Sequence, residues 1–315
     1  MGEATPALDL SFVTLTWNSR AFIGRCVDSI ASRCEADGLS FEILVVDNGS
    51  TDGTIDIVRG HAGPASLRMT AFPLDRNRGT TYPRNLALKQ ARGRVISVID
   101  SDTEFLSGSL KPVMGLLAAD ATLGIVAPRL QLPDGSIQHS VKRFPTLADK
   151  LRKVPAIVAG RPVPRADFYP TFPFDRCTRV ETAISACWFF RADLLGSVGL
   201  LDEGIFYAPE DVEYSARVHE AGRHILYYPY VTLLHHTQQI SHRRPVSRTS
   251  LSHLKGLLRY HRTHGGWIAR PADAARRWPA ADEEAERMLR LAAPDPRDGG
   301  PVGIGAPAAV TPVRA

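Results

Sequence analysis

Residues 94 to 102 read Arg94-Val95-Ile96-Ser97-Val98-Ile99-Asp100-Ser101-Asp102, a short apolar run that ends in two carboxylates one residue apart. The run from Val95 to Ile99 predicts a buried strand, and both acids then leave its carboxyl end, the edge at which open α/β sheets take their ligands. Upstream, Phe41 to Val46 is a second buried strand, followed by Asp47-Asn48-Gly49-Ser50-Thr51-Asp52-Gly53-Thr54, so Asp47 leaves the same edge. Leu10 to Thr16 reads as the first strand and Ser66 to Phe72 as the third. Between them, Asn18 and Ser19 are placed to cap a helix with the stripe Phe22, Cys26, Val27, Ile30 and Cys34. Thr51 or Asp52 starts the next helix, and Pro83 opens a third with Leu86 and Leu88 inside and Gly93 beyond its end. This alternation is the pattern of a parallel sheet built from βαβ units.

After Asp102 the pattern predicts a helix near Ser109 to Ala119, a strand at Leu123 to Ala127 and a turn at Pro133-Asp134-Gly135, where pairing becomes antiparallel. From Val141 to Cys177, prolines, basic residues and the aromatics Phe168, Tyr169, Phe172 and Phe174 suit a long, partly mobile surface segment. Order returns with Val180 to Phe190, a helix from Pro209 to Ala221 ended by Gly222, and a strand from His224 to Leu234. Residues 242 to 277 are rich in Arg and Lys against the single acidic Asp273, and Leu251, Leu254, Leu257 and Leu258 share a helical face there. Such a helix is either a solvated face over a packed stripe or a basic amphipathic element on an anionic membrane. From Pro294 onward, Pro, Gly and Ala predict a disordered tail.

Composition sets the bounds. The chain has 315 residues, 44% hydrophobic and 23% charged, which is ordinary globular usage, and its net charge of +5 is too mild to imply nucleic acid. Cys26, Cys34, Cys177 and Cys187 form no CxxC pair, and the N-terminus lacks a secretory apolar core, so a reducing cytoplasmic setting is expected. No apolar run approaches the 18 or so residues that a membrane span needs.

The polar residues at the strand ends carry the chemistry. Asp100 and Asp102 can share a hard divalent cation, Mg²⁺ or Mn²⁺, that bridges a diphosphate; the plainer alternative is a turn in which Asp102 caps the next helix. Asp47 can accept the imide N–H of a uracil or thymine ring, or simply belong to a strand-turn-helix junction. Glu210-Asp211 opens a helix after Phe206-Tyr207, as a favourable helix-dipole placement or as a general base for an attacking hydroxyl. His235 and His236 end the last strand and point to opposite sides, so at most one joins the carboxylates.

Taken in order, Thr16-Trp17-Asn18-Ser19, Val45 to Thr54, Asn77-Arg78-Gly79 with Arg84-Asn85, Asp100-Ser101-Asp102, Glu210-Asp211 and His235 resemble the glycosyltransferase family 2 pattern on a GT-A fold. The match runs over residues 10 to 240, and its later part looks like the rhamnosyl- and galactofuranosyl-transferring branch. The resemblance implies an α/β fold with a Rossmann-like, mostly parallel sheet and a smaller antiparallel part on the acceptor side. Residues 1–130 would form the nucleotide-sugar half, 131–240 the acceptor-binding and catalytic half, 241–292 a basic helical segment and 293–315 a disordered tail.

The implied activity is inverting transfer of a sugar from a nucleoside-diphosphate donor, UDP- or dTDP-linked, to a hydroxyl of a glycan, lipid-linked or small-molecule acceptor. By the same resemblance, Thr16, Trp17 and Asp47 match positions that hold the base, and Arg84 one near the base and diphosphate. Asp100 and Asp102 match the Asp-x-Asp motif, Asp102 as the closer metal ligand; His235 matches a strand-end ligand, with His236 disfavoured. Asp211 matches the catalytic base with Glu210 beside it. The implied setting is cytoplasmic, in bacterial polysaccharide or glycoconjugate synthesis, with peripheral contact at the inner membrane face through residues 242–277. A non-catalytic nucleotide-sugar-binding scaffold and a secondary-metabolite transferase are the alternatives. Three departures stand out: Trp17 where Tyr is usual, Ser185 in place of a small Gly, and Thr237-Gln238-Gln239 where glycines commonly follow the histidine.

Overall fold

The computed structural model describes residues 8–61, 63, 67–148, 151, 167–169, 171–237 and 248–265. Four parallel strands form its first half: β1 (Leu8–Thr16), β2 (Phe41–Asp47), β3 (Arg68–Pro73) and β4 (Gly93–Asp100). Helices α1 (Ile23–Asp37), α2 (Thr54–Gly60) and α3 (Thr81–Leu88) connect them. Side chains alternate across this sheet as the period of two demands: Phe12, Ile43, Val45 and Ile99 enter the core beneath α1, and Val13, Leu44, Val46 and Val98 the core on the opposite face.

The second half is mixed. β5 (Thr103–Ser107), α4 (Lys111–Ala119), β6 (Leu123–Gln131), β7 (Val141–Lys142), β8 (Thr178–Val180), β9 (Thr182–Ala183) and β10 (Cys187–Arg191) follow. Then come α5 (Leu194–Ser197), α6 (Glu210–Glu220), β11 (His224–His235) and α7 (Arg248–His264). The main sheet runs β3-β2-β1-β4-β10-β6-β11-β5, with β8 also on β11. β10 lies antiparallel to both β4 and β6, so the antiparallel switch comes at β10 rather than at the Pro133 turn alone.

Several expectations are corrected. Asn18 and Ser19 do not cap α1 through their side chains; Phe22 is its first flanking residue and Ile23 takes the buried place expected of Phe22. Asn18, at φ 50°, instead accepts the Thr51 amide through Oδ1 at 2.9 Å, tying two loops of the same edge together. α2 starts at Thr54, whose N–H donates to the Asp52 carboxylate at 3.0 Å. No helix follows Asp102 directly: β5 comes first, because pairing with β11 gives its half-exposed residues a partner strand, and this removes the helix-capping reading of Asp102.

Within residues 141–177, Phe144 is fully buried, and Tyr169, Phe172 and Phe174 are half-buried against the second core, the latter two touching the Tyr227 ring, so these aromatics are not free surface groups. On α7 the buried residues are Gly256, Leu257, Tyr260 and His261, while Leu254 is 50% exposed, so the leucines do not share one packed face. The expected tail from Pro294 lies outside the described residues.

Candidate active site

Parallel register builds the first part of the site. Thr16 stands opposite Asp47 and Leu15 opposite Asp100, so Trp17, Asp47 and Asp100 reach one edge. Thr16 is fully buried, whereas Trp17 is 36% exposed and offers a flat indole surface. Asp47 is buried and takes the Ser50 hydroxyl on Oδ1 and the Ser50 amide on Oδ2 at 3.4 Å. Next to it, the Asn48 side chain accepts the Arg78 amide at 2.8 Å and donates to the Gly79 carbonyl at 2.8 Å, which fastens the β2 loop to the segment leading into α3.

Antiparallel register supplies the rest. Cys187 pairs with Ile99, so the residues before β10 run past the end of β4; the Asp100 amide donates to the Ala186 carbonyl at 2.9 Å and Ser185 lies beyond. β11 pairs His235 with Thr103, next to Asp102. Asp100, Asp102 and His235 thereby present ligand atoms all within 4.8 Å of one another. His235 Nδ1 meets Gln138 Oε1 at 2.8 Å, and its Nε2 is the nitrogen turned to Asp102, 3.5 Å from Oδ1. With Nδ1–H donating to Gln138, Nε2 keeps the lone pair that a metal would need. Two carboxylates and an imidazole suit Mn²⁺ or Mg²⁺ by donor chemistry, so the residues fit a divalent cation.

The two carboxylates dominate the local electrostatics. Burial raises the Asp100 pKa against the pull of Arg84, and the neighbouring Asp102 raises it further. Burial works to lower the His235 pKa, but the hydrogen bond to Asp102 and the charges of Asp102 and Asp100 prevail and raise it. His236 faces the other way, with Nε2 2.6 Å from Glu104 Oε1 and its ring against Phe22. The period-two expectation for the two histidines therefore holds.

Arg84 joins the two halves. Its guanidinium is buried; Nη2 donates to Asp100 Oδ1 at 2.6 Å, and Nη1 donates to Ser185 Oγ at 3.0 Å and to Glu210 Oε1 at 3.1 Å. Ser185 in turn donates to the same Glu210 oxygen at 3.1 Å, a bond that a glycine there could not make. Burial and the adjacent Asp211 push the Glu210 pKa up to about 7 in spite of Arg84. Asp211 accepts the Val212 amide through Oδ1 at 2.8 Å and is only half-buried.

The structure groups Asp100, Asp102 and His235, and Arg84 links Asp100 to Glu210, the chain neighbour of Asp211; Thr16, Trp17 and Asp47 end adjacent strands at the same edge of the sheet. It sets His236 apart. Gln138 and Asn48 had no part in the sequence reading: Asn48 sits inside the quoted Asp47 motif, where its polarity was a usable signal, but a lone Gln after a turn carries none.

An α/β sheet whose polar strand ends converge on an Asp-x-Asp motif and a Glu-Asp helix start is the architecture of a GT-A glycosyltransferase. The profile described as "Glycosyl transferase family 2" matches residues 11–198, and this chain belongs to that family. A relative from Mycobacterium tuberculosis, N-acetylglucosaminyl-diphospho-decaprenol L-rhamnosyltransferase, is 26% identical over 275 residues, 83% of this chain and 87% of the relative.

Among solved structures, GalNAc-T7 with UDP, GalNAc and Mn²⁺ aligns at TM-score 0.59 and 16% identity, over 92% of this chain and 55% of that one. The mannosyltransferase PcManGT from Pyrobaculum calidifontis, with GDP-Man and Mn²⁺, aligns at TM-score 0.54 and 18% identity, over 91% of this chain and 69% of that one. These likenesses show the GT-A fold. No helix among the described residues is long and apolar enough to cross a membrane.

Proposed function

We propose that this chain is an inverting, metal-dependent glycosyltransferase that moves a sugar from a UDP- or dTDP-linked donor to a hydroxyl of a lipid-linked glycan acceptor. One observation carries the reading: the buried Arg84 guanidinium bonds both Asp100 of the Asp-x-Asp motif and Glu210 beside Asp211. Through Arg84, leaving-group stabilisation and nucleophile activation would be linked by a single side chain.

Asp47 would accept the imide N–H of the base, Trp17 would stack on the ring and Thr16 would line the pocket beneath it. Asp100, Asp102 and His235 would hold a divalent cation, which when bound neutralises charge on the departing diphosphate. Asp211 would take the proton of the acceptor hydroxyl. Glu210 is suited to holding rather than to base catalysis, because its Oε1 is occupied by Arg84 and Ser185. A single displacement, with the hydroxyl entering opposite the diphosphate, inverts the anomeric centre.

The likeness to an N-acetylglucosaminyl-diphospho-decaprenol L-rhamnosyltransferase supports a lipid-diphosphate acceptor. The basic composition of residues 242–277 supports approach to an anionic membrane surface, testable by vesicle flotation that high salt abolishes. The donor test is thermal shift with UDP, dTDP and GDP, each with Mn²⁺ and with EDTA. Stabilisation by UDP or dTDP that EDTA removes is expected; no shift from a folded sample with any nucleotide would defeat the reading.

A further inference from the structure

The loop that leads into α6, whose first two residues are Glu210 and Asp211, is held from two sides. On the first, the start of α3 holds it: the Thr80 amide donates to the Phe206 carbonyl at 2.7 Å and the Thr81 hydroxyl to the Ile205 carbonyl at 2.8 Å. On the second lies α7, which is beyond the family-matched residues 11–198.

The buried and contacting residues of α7 fall along one face, at 256, 257, 260, 261 and 264. Gly256 lies against the Ala208–Pro209 peptide: a Cβ there would fall inside contact distance of the Ala208 carbonyl oxygen and 3.2 Å from Pro209 Cδ. Leu257 and Tyr260 pack with Phe144, Ala216 and Val212. His264 sits between Glu213 and Glu220 of α6, its Nε2 3.4 Å and Nδ1 2.6 Å from their carboxylates. Arg259, flanking that face, reaches back to Asp202 at the loop's start, with Nη2 3.0 Å from Oδ1.

A glycine inside a helix is unfavourable relative to alanine, and Gly256 does not have the positive φ that would demand one. The close backbone approach explains it. We infer that α7 is a buttress that sets the position of the Glu210–Asp211 pair, with Gly256 as a positioning residue three places in contact from the base: it touches Ala208, and Asp211 follows three residues later. This rests on the proposed role of Asp211. Any side chain at 256 must displace either the helix or the Ala208 carbonyl, and a catalytic group misplaced by about 1 Å can lose on the order of 100-fold in rate.

The test is Gly256→Ala, a change that favours the helix by itself. Three readouts are needed: release of nucleoside diphosphate from the sugar-nucleotide that wild type turns over with Mn²⁺, the Kd of the free nucleotide, and amide hydrogen exchange. The expected result is a fall of about 10- to 100-fold in turnover per nucleotide-binding site, with Kd unchanged. Exchange should quicken at Thr80 and Glu213, whose amides donate to the Phe206 and Pro209 carbonyls. A merely structural role would lower the number of binding sites instead of the turnover per site.

Unchanged turnover per site overturns the inference, whatever the exchange shows. If Gly256→Ala does not fold, Arg259→Gln breaks only the contact to Asp202, and a several-fold loss at unchanged Kd is expected; no loss overturns it. A folded wild type that releases nucleotide from no donor would defeat the transfer reading, and exchange then decides the buttress alone: faster supports it, unchanged overturns it.

Discussion

In β1, β2 and β4 parallel register suffices to bring Thr16, Asp47 and Asp100 to one edge, since Thr16 faces Asp47 and Leu15 faces Asp100 across adjacent strands. In the mixed half, Glu210 and Asp211 reach the same edge through bonds between residues far apart in the chain: Arg84 to Glu210, Thr80 to Phe206, Arg259 to Asp202. The backbone ladder fixes the first set cooperatively, whereas two side-chain ion pairs and one isolated backbone bond fix the second. The lesson is a division of tolerance. The parallel half accepts surface substitution without moving its polar residues, while in the mixed half single side chains control where the acids sit.

The sharpest way to break this comparison is Asp211→Asn. It should lower transfer on the order of 10²- to 10⁴-fold while nucleotide Kd stays at the wild-type value, since the change spares the parallel half. Near-normal turnover would show that another group takes the proton. Next comes Arg84→Leu, which strands the buried Glu210 and the half-buried Asp100; it should cost about 3–5 kcal/mol in denaturant unfolding, far more than the surface ion pair Arg191–Asp193, worth about 0–1 kcal/mol.

Asp102→Asn tests the joint between the halves. Wild type at a nucleotide concentration of 100 Kd with Mn²⁺ should gain about 2.7 kcal/mol, and the variant should lose the part of that gain that EDTA removes from wild type. An EDTA-sensitive gain that survives in the variant would place the cation elsewhere.

The smallest effect concerns His264. Burial opposes its charge, yet Glu213 and Glu220 raise its pKa above the ordinary 6.5, while Arg217 competes for Glu213. A raised folded-state value means that the protonated form stabilises the fold: the contribution is full below pH 6.5 and lost as pH rises through the folded-state value. Urea titrations from pH 6 to 9 should show this loss, and His264→Gln should flatten it. An unchanged slope in the variant would assign it to other groups.

How much was legible divides along the same line. Continuous apolar runs with polar ends marked Val95 to Ile99, with Asp100 and Asp102 after it, and Phe41 to Val46, with Asp47 after it, because a buried parallel strand must be apolar along its length and polar where it ends. β5 was missed, since Thr103 to Ser107 shows neither alternation nor a continuous apolar run, and its strand form depends on β11 more than a hundred residues away. Without β5 nothing local brings His235 to Asp102. The leucines of α7 misled in part for a related reason: periodicity ranks faces by hydrophobicity, but the face that docks joins Leu257 with Gly256, Tyr260 and His264, of which one has no side chain and one is polar, and it leaves Leu254 exposed.

The sequence by itself determined the alternation of strands and helices, the edge at which the carboxylates emerge and the family, because those depend on local burial patterns and on residue order. Only the tertiary structure decided that Arg84 spans Asp100 and Glu210, that Gln138 turns His235, and that α7 lies against the Ala208 carbonyl. Those contacts join residues tens to more than a hundred positions apart, and a one-dimensional pattern contains no distance between them.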